Sequence, residues 1–206
     1  IGLERVARSA PDGHVLATVT DSSMVSLPGM VSKLSYSLED DFAPITMLCV
    51  VPTIIIVRPG LDIRSVRDLI AMAKANPGKL NIGSINVGST QNLAAELFKS
   101  TAGIDAQVVP FNGTPAVMSA LRGGQIDVGV EILAPVLPQI KGQALRALAV
   151  TGDKRAAALP QVPTAKESGV RNLYAASWNA LAAPAKTPKD VVQKLNQEIQ
   201  NVLNSP

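Results

Sequence analysis

Between residues 53 and 150 the chain alternates short β-rich runs with segments of helical periodicity, and this alternation limits the possible folds more than any other feature. Strands are expected over 53–57, from 80 to a turn beginning at 84, and over 106–110, 126–132 and 145–150, where Val, Ile and Leu cluster. Ser65 to Asp68 has capping-box spacing, and Val66, Leu69, Ile70 and Ala73 recur on one helical face before Asn76-Pro77-Gly78. A second helix is expected over 91–101, presenting Leu93, Ala94, Leu97 and Phe98 to a core. A third is read with Thr114 as N-cap and Pro115 behind it, stopping at Gly123-Gly124, and a short fourth over 135–140. Strands and helices in strict turn imply right-handed crossovers and an α/β fold with a mainly parallel sheet. Aromatics make up only 3% of the chain, so its core is built from Ala, Val, Leu and Ile, as under helices that cover a sheet.

The flanks are less regular. Residues 2–9 place Leu3, Val6 and Ala7 on one face before the turn Pro11-Asp12-Gly13, and a strand follows over 15–20. Residues 24–36 read as irregular, and Ser37 to Asp40 as a short capping box. Two β-rich runs, 45–51 and 53–57, are separated by Pro52, which argues for an edge, a bulge or a crossing point, and Pro59-Gly60 is a hinge candidate. A last strand is expected over 177–183, then a helix capped within Thr187-Pro188-Lys189-Asp190 that buries Val191, Val192, Leu195, Ile199 and Val202.

Several functions are disfavoured. Net charge is +3, but Lys and Arg are scattered and lack an aromatic-basic platform, which argues against nucleic acid. The longest uncharged apolar runs fall short of a membrane span. One cysteine, Cys49, and one histidine, His14, exclude an internal disulfide and make no usual zinc site, so neither metal nor cofactor is expected. Nucleophile-elbow, dinucleotide and phosphate-loop motifs are absent, and the chain does not read as an enzyme. Asp127 and Glu131, four apart on a strand, share a face, but Asp127 reads better as a cap of the turn Gly123-Gly124-Gln125.

The candidate site centres on 80–93, a strand running through small polar residues into a helix. Small residues allow a ligand close to the backbone, and the amides at a helix start favour an anion. Ser84, Asn86, Gly88, Ser89, Thr90 and Gln91 are the candidates there, although an ordinary capped connection has the same composition. Thr20, Asp21, Ser22 and Ser23 form a second small-polar loop, which could equally be a solvated turn. Phe111 opens a third, and Glu131 is a charge inside an apolar run, either at the site or at a strand mouth facing water. All four segments fall at carboxyl ends of expected strands, where open α/β sheets bind ligands.

The turn Pro11-Asp12-Gly13-His14, the segment Asn76-Pro77-Gly78-Lys79, the stretch 80–98, Pro110-Phe111-Asn112-Gly113, Gly123-Gly124-Gln125-Ile126-Asp127 and Leu145-Arg146-Ala147-Leu148 occur in an order and spacing that resembles a known family. It is that of the periplasmic solute receptors of tripartite tricarboxylate transporters, the Bug family. The resemblance implies a type II periplasmic binding-protein fold with lobe one formed by 1–58 and 176–206, and lobe two by 59–175. It also implies a small organic carboxylate, a dicarboxylate or aromatic acid, held in an interlobe cleft by amides, hydroxyls and waters. Such receptors deliver their ligand to integral-membrane transporter subunits from the periplasm. Family members carry a strand, a Pro- and Gly-rich loop, a helix and a second strand before the equivalent of Ile1, and a strand and helix after that of Pro206. A fragment with lobe one incomplete is therefore expected. The pattern departs from the family's at Asp21, Asn86, Val87, Asn92, Phe111, Asn112, Val130-Glu131 and Asn179, and Asn86 adds a side chain to the tightest turn. A regulator's effector domain, or a fragment without ligand binding, are the alternatives.

Overall fold

The computed structural model describes residues 2–205. Contacts divide the chain into two compact units, Ile1–Val50 with Trp178–Pro206, and Val51–Ser177.

The first unit begins with α1 (Gly2–Ala7) and β1 (Ala17–Thr20). The stretch expected to be irregular is partly helical: a π-helical turn, Ser22–Ser26, leads into α2 (Leu27–Met30). Hydroxyls organise it, because Thr20 N donates to Ser23 Oγ at 3.0 Å, Ser23 N to Thr20 Oγ1 at 3.2 Å, and Tyr36 Oη to Ser23 O at 3.0 Å. Pro28 suits a first helical turn. The next helix, α3 (Leu38–Asp41), is capped by the Ser37 hydroxyl, which accepts from Asp40 N at 3.2 Å. Asp41, rather than Asp40, returns the bond to Ser37 N, at 2.7 Å.

The two β-rich runs around Pro52 form one strand, β2 (Phe42–Val57), rather than two. Proline removes a single ladder donor there while the extended backbone continues. The boundary between the units, Val50/Val51, falls next to this proline.

Beyond it come α4 (Val66–Ala75), β3 (Leu80–Ile85), α5 (Thr90–Ala102), β4 (Ala106–Phe111), α6 (Thr114–Arg122), β5 (Val128–Ile132), α7 (Leu133–Lys141) and β6 (Arg146–Val150). Within this unit the strands lie in the order β6-β2-β5-β3-β4. The β3–β4 and β3–β5 pairs are parallel, as the crossovers require, whereas β2 is antiparallel to both β5 and β6. The sheet is therefore mixed rather than mainly parallel, because β2 enters against the direction of the strands that the helices connect. Ile54, Ile55, Ile56 and Val57 are all fully buried. Alternation sends Ile55 and Val57 to a core with Leu69, Ile82 and Phe98, and Ile54 and Ile56 to one with Val117, Leu121 and Val136.

Helix α5 is rotated from the expected face. Ala94, Ala95 and Phe98 are buried, while Leu93 and Leu97 are 44% and 38% exposed. The buried stripe continues into Gln91 and Asn92, whose side chains find partners inside the unit. Those bonds make an inward polar first turn tolerable.

The chain returns to the first unit through β7 (Ala176–Pro184) and ends in α8 (Lys189–Leu203). Strand β7 is antiparallel to β1, with Ala17 opposite Ala182 and Thr20 opposite Asn179. A small core of Ala17, Val19, Phe42 and Ala182 lies here, and Tyr36 meets Phe42 edge-on at 5.8 Å. Helix α8 fully buries none of the residues expected inside, and Val202 is 70% exposed. The expected cap is also missing: Pro188 holds the N-cap position, and the buried Thr187 hydroxyl has no partner among the described residues.

The rotation of α5 has a measurable consequence. Phe98→Ala should cost about 3–5 kcal/mol in chemical denaturation, and Leu97→Ala about 1 kcal/mol or less. Equal losses would place the helix on the wrong face.

Candidate functional site

The loop between β3 and α5 is closed by its own polar groups. Gly88 has φ +82, the left-handed backbone that glycine adopts without strain, so the constrained position of the turn is Gly88 rather than Asn86. Asn86 is exposed, its amide donates to Phe111 O at 3.0 Å, and its carbonyl accepts from Ser89 N at 3.1 Å. The Ser89 hydroxyl caps α5, accepting from Asn92 N at 3.1 Å and donating to Ile85 O at 2.8 Å. Asn92 closes the turn from inside, accepting from Gly88 N at 3.2 Å and donating to the buried Ser84 hydroxyl at 3.2 Å. First-turn amides have no carbonyl of their own helix to bond, and the dipole leaves positive potential there.

Glu131, near the end of β5, lies in the same cluster. Its Oε2 accepts from the Thr114 hydroxyl at 3.0 Å and from Gln91 Nε2 at 3.4 Å. The residue is 0% exposed and its Oε1 has no partner among the described residues, so it does not sit at a strand mouth facing water. Burial pushes its carboxyl above the usual carboxylate range, and the bonds from Thr114 and Gln91 only partly oppose this. Thr114 reaches Glu131 because it is not the cap: Gly113, at φ +89, holds that position and Thr114 is the first residue of α6.

The site therefore joins Ser84, Gly88, Ser89, Gln91 and Glu131, with Asn86, Thr90 and Phe111 on the same loops. Phe111 contributes its carbonyl and a half-buried ring. Thr20, Asp21, Ser22 and Ser23 belong to the other unit, where Thr20 and Ser23 bond each other and Asp21 Oδ1 accepts from Trp178 N at 3.3 Å. The residues singled out from the sequence for the candidate site left out Asn92 and Thr114, although Asn92 stood among the departures from the family pattern and Thr114 belongs to the loop that Phe111 opens. The signal for Asn92 was its place three residues after the cap Ser89, within reach of the turn it closes.

Asp127 does not cap its neighbouring turn; it pairs with Arg58 at 3.2 Å, and its carbonyl accepts from Arg58 N. It precedes β5 by one residue and lies about 13 Å along the strand from Glu131, too far for paired-carboxylate chemistry. Among the described residues no group of three His, Cys, Asp or Glu could hold a metal ion.

A cavity of about 500 Å³ lined by Arg64, Arg146 and Gln143 lies at the other end of the sheet, where Val57 pairs with both Val128 and Arg146. Its guanidinium groups are engaged: Arg146 donates to Ile63 O at 2.8 Å, and Arg64 pairs with Asp62 at 3.3 Å. The 84–91 loop instead offers neutral donors beside one buried carboxyl, with no Lys or Arg in the loop itself.

Because the folded state raises the Glu131 carboxyl, its neutral form favours folding. That contribution is complete below the unfolded value of about 4.3 and is lost as pH rises through the higher folded value. The stability of Glu131→Gln relative to wild type should therefore increase from about pH 4 to neutrality in thermal unfolding. A difference independent of pH would mean that burial does not raise this carboxyl.

Residues 1–206 match the tripartite tricarboxylate transporter family receptor description. BugT of Bordetella pertussis is 31% identical over 206 residues, which cover all of this chain and 63% of BugT. A protein encoded in a tcbD–tcbE intergenic region of Pseudomonas sp. is 30% identical over 207 residues, covering 61% of its own length. The chain thus spans about three-fifths of the curated relatives it matches. Among solved structures, a Rhodopseudomonas palustris protein with adipate is similar at TM-score 0.91 and 31% identity, over 98% of this chain and 68% of that one. MatC of Rhodopseudomonas palustris with bound malate gives 0.85 and 27%, over 99% and 69%. The periplasmic binding protein BugD gives 0.87 and 29%, over 100% and 68%. The architecture is that of periplasmic binding proteins, and the chain belongs to the tripartite tricarboxylate transporter receptor family.

Proposed function

We propose that this chain carries the ligand-binding loops of a periplasmic receptor for a small organic carboxylate, a dicarboxylate or aromatic acid, which passes its ligand to integral-membrane transporter subunits. The carrying observation is the start of α5, where the small residues Gly88, Ser89 and Thr90 lead into the first-turn amides, at the positive end of the helix dipole. A helix start binds an anion with about half an elementary charge and no cationic side chain. The proteins solved with adipate and malate support the ligand class. The adjoining donors Gln91 and Thr114 and the buried Glu131 then shape what lies next to the bound carboxylate.

On the whole receptor as encoded, a panel of C4–C6 dicarboxylates and aromatic acids should contain at least one that raises the melting temperature and binds in calorimetry. A flat panel contradicts the reading. Ser89→Ala combined with Thr90→Val should weaken that acid by about 1–3 kcal/mol, the value of hydrogen bonds to a charged group. Unchanged affinity would remove these residues from the site.

A further inference from the structure

We propose that Glu131 takes up a proton when a carboxylate binds at the 84–91 loop, so that the ligand anion is held beside a neutral glutamic acid. This rests on the carboxylate reading above.

The geometry around Glu131 carries the inference. The side chain is fully buried, Oε2 is held by Thr114 and Gln91, and Oε1 has no partner among the described residues. Both donors stand in first helical turns, Thr114 in α6 and Gln91 in α5, so the carboxyl already occupies the positive potential of two helix starts. Each start is worth about half an elementary charge, so two of them offset one carboxylate. A ligand carboxylate on the amides of α5 would draw on the same potential, because Gln91 belongs both to that first turn and to the Glu131 contact.

Among the described residues no ion pair reaches Glu131; beyond β6, whose end lies beside Ile54, Arg155 pairs with Glu167 at 3.0 Å and Lys154 is exposed. Glu131 lies opposite Ile54 on β2, and neither β3 nor β4 carries a charged residue. On α5, Glu96 and Lys99 pair with each other at 2.9 Å. Arg122 and Lys141 stand in the last turns of α6 and α7, away from the helix starts, and Arg58 is paired with Asp127 before the other end of β5. Like charges forced into one enclosed site hold a proton between them. That proton comes from solvent and goes to Oε1. Oε2 then still accepts from Thr114 and Gln91, and Oε1 gains an O–H that can be donated to an acceptor oxygen of the ligand. The site accordingly suits an acid that presents such an oxygen beside its bound carboxylate, and a bound ammonium group would need no proton at all.

The test is titration calorimetry of the whole receptor with adipate and with malate, from about pH 5.5 to about pH 8.5, in phosphate and in Tris, whose ionisation heats differ. Above the carboxyl's value in the free protein, the apparent heat should depend on buffer, with uptake rising toward one proton per ligand, and affinity should fall about tenfold per pH unit. Glu131→Gln should bind with buffer-independent heat and a flat pH profile. Binding to wild type with the same heat in both buffers overturns the inference and leaves the carboxylate reading standing. Proton uptake that persists in Glu131→Gln assigns the proton to another group and also overturns it. If neither acid binds wild type at any pH, the inference is overturned, and the carboxylate reading falls with it only if the whole panel is flat. Should the variant not fold, the wild-type comparison between buffers still decides.

Discussion

Glu131 is enclosed on a strand of a sheet covered on both faces, and no lysine or arginine pairs with it. Removing a carboxyl from water is costly unless it is neutral or well donated to, and here the donors are Thr114 and Gln91 from two helix starts. That arrangement requires α5 and α6 to begin where they do. Ser89 sets the first by capping it, and Gly113 sets the second by holding the cap position with a left-handed backbone. The polar inner face of α5, with Gln91 and Asn92 buried, follows from the same requirement.

The topology delivers these groups to one place. Strands β3, β4 and β5 run parallel, so their carboxyl ends and the loops after them gather on one side of the sheet. Strand β2 adds four fully buried residues, two to each core, and lies antiparallel to β5 with Ile54 opposite Glu131. The arginines that a carboxylate would ordinarily seek line a cavity at the other end of that sheet and are spent on Ile63 O and Asp62. The polar groups around Glu131 are instead amides, hydroxyls and a carboxamide, whose geometry is fixed by the backbone rather than by long flexible side chains.

Much of this was legible in the sequence, and for physical reasons. Caps and glycine stops placed α4, α5 and α6, since Ser65, Ser89 and Gly123 act locally. The convergence of small polar loops at strand ends pointed to 84–91 and Glu131, which the fold brings together through Gln91. Several readings depended on tertiary packing and came out differently. Leu93 and Leu97 looked like core because their spacing is helical, yet the polar partners of Gln91 and Asn92 decide the rotation. Proline at 52 divided the run in two, yet an extended strand tolerates one missing amide, and the crossing point read there coincides with the boundary between the units. Thr114 looked like a cap, yet Gly113 takes that position and frees the hydroxyl for Glu131. The direction of β2 has no local signal, so the sheet came out mixed. Asp127 was misassigned because Arg58, its partner, lies 69 residues away in sequence.

The central claim is that an acid docks on the start of α5. Amide-resolved NMR of the isotopically labelled receptor during a titration with adipate tests it most directly. The largest shift changes are expected at Gly88, Ser89, Thr90 and Gln91, with a second set at Thr114. Changes confined to the cavity of Arg64 and Arg146, or bound ligand that leaves the 84–91 amides unmoved, would contradict the account.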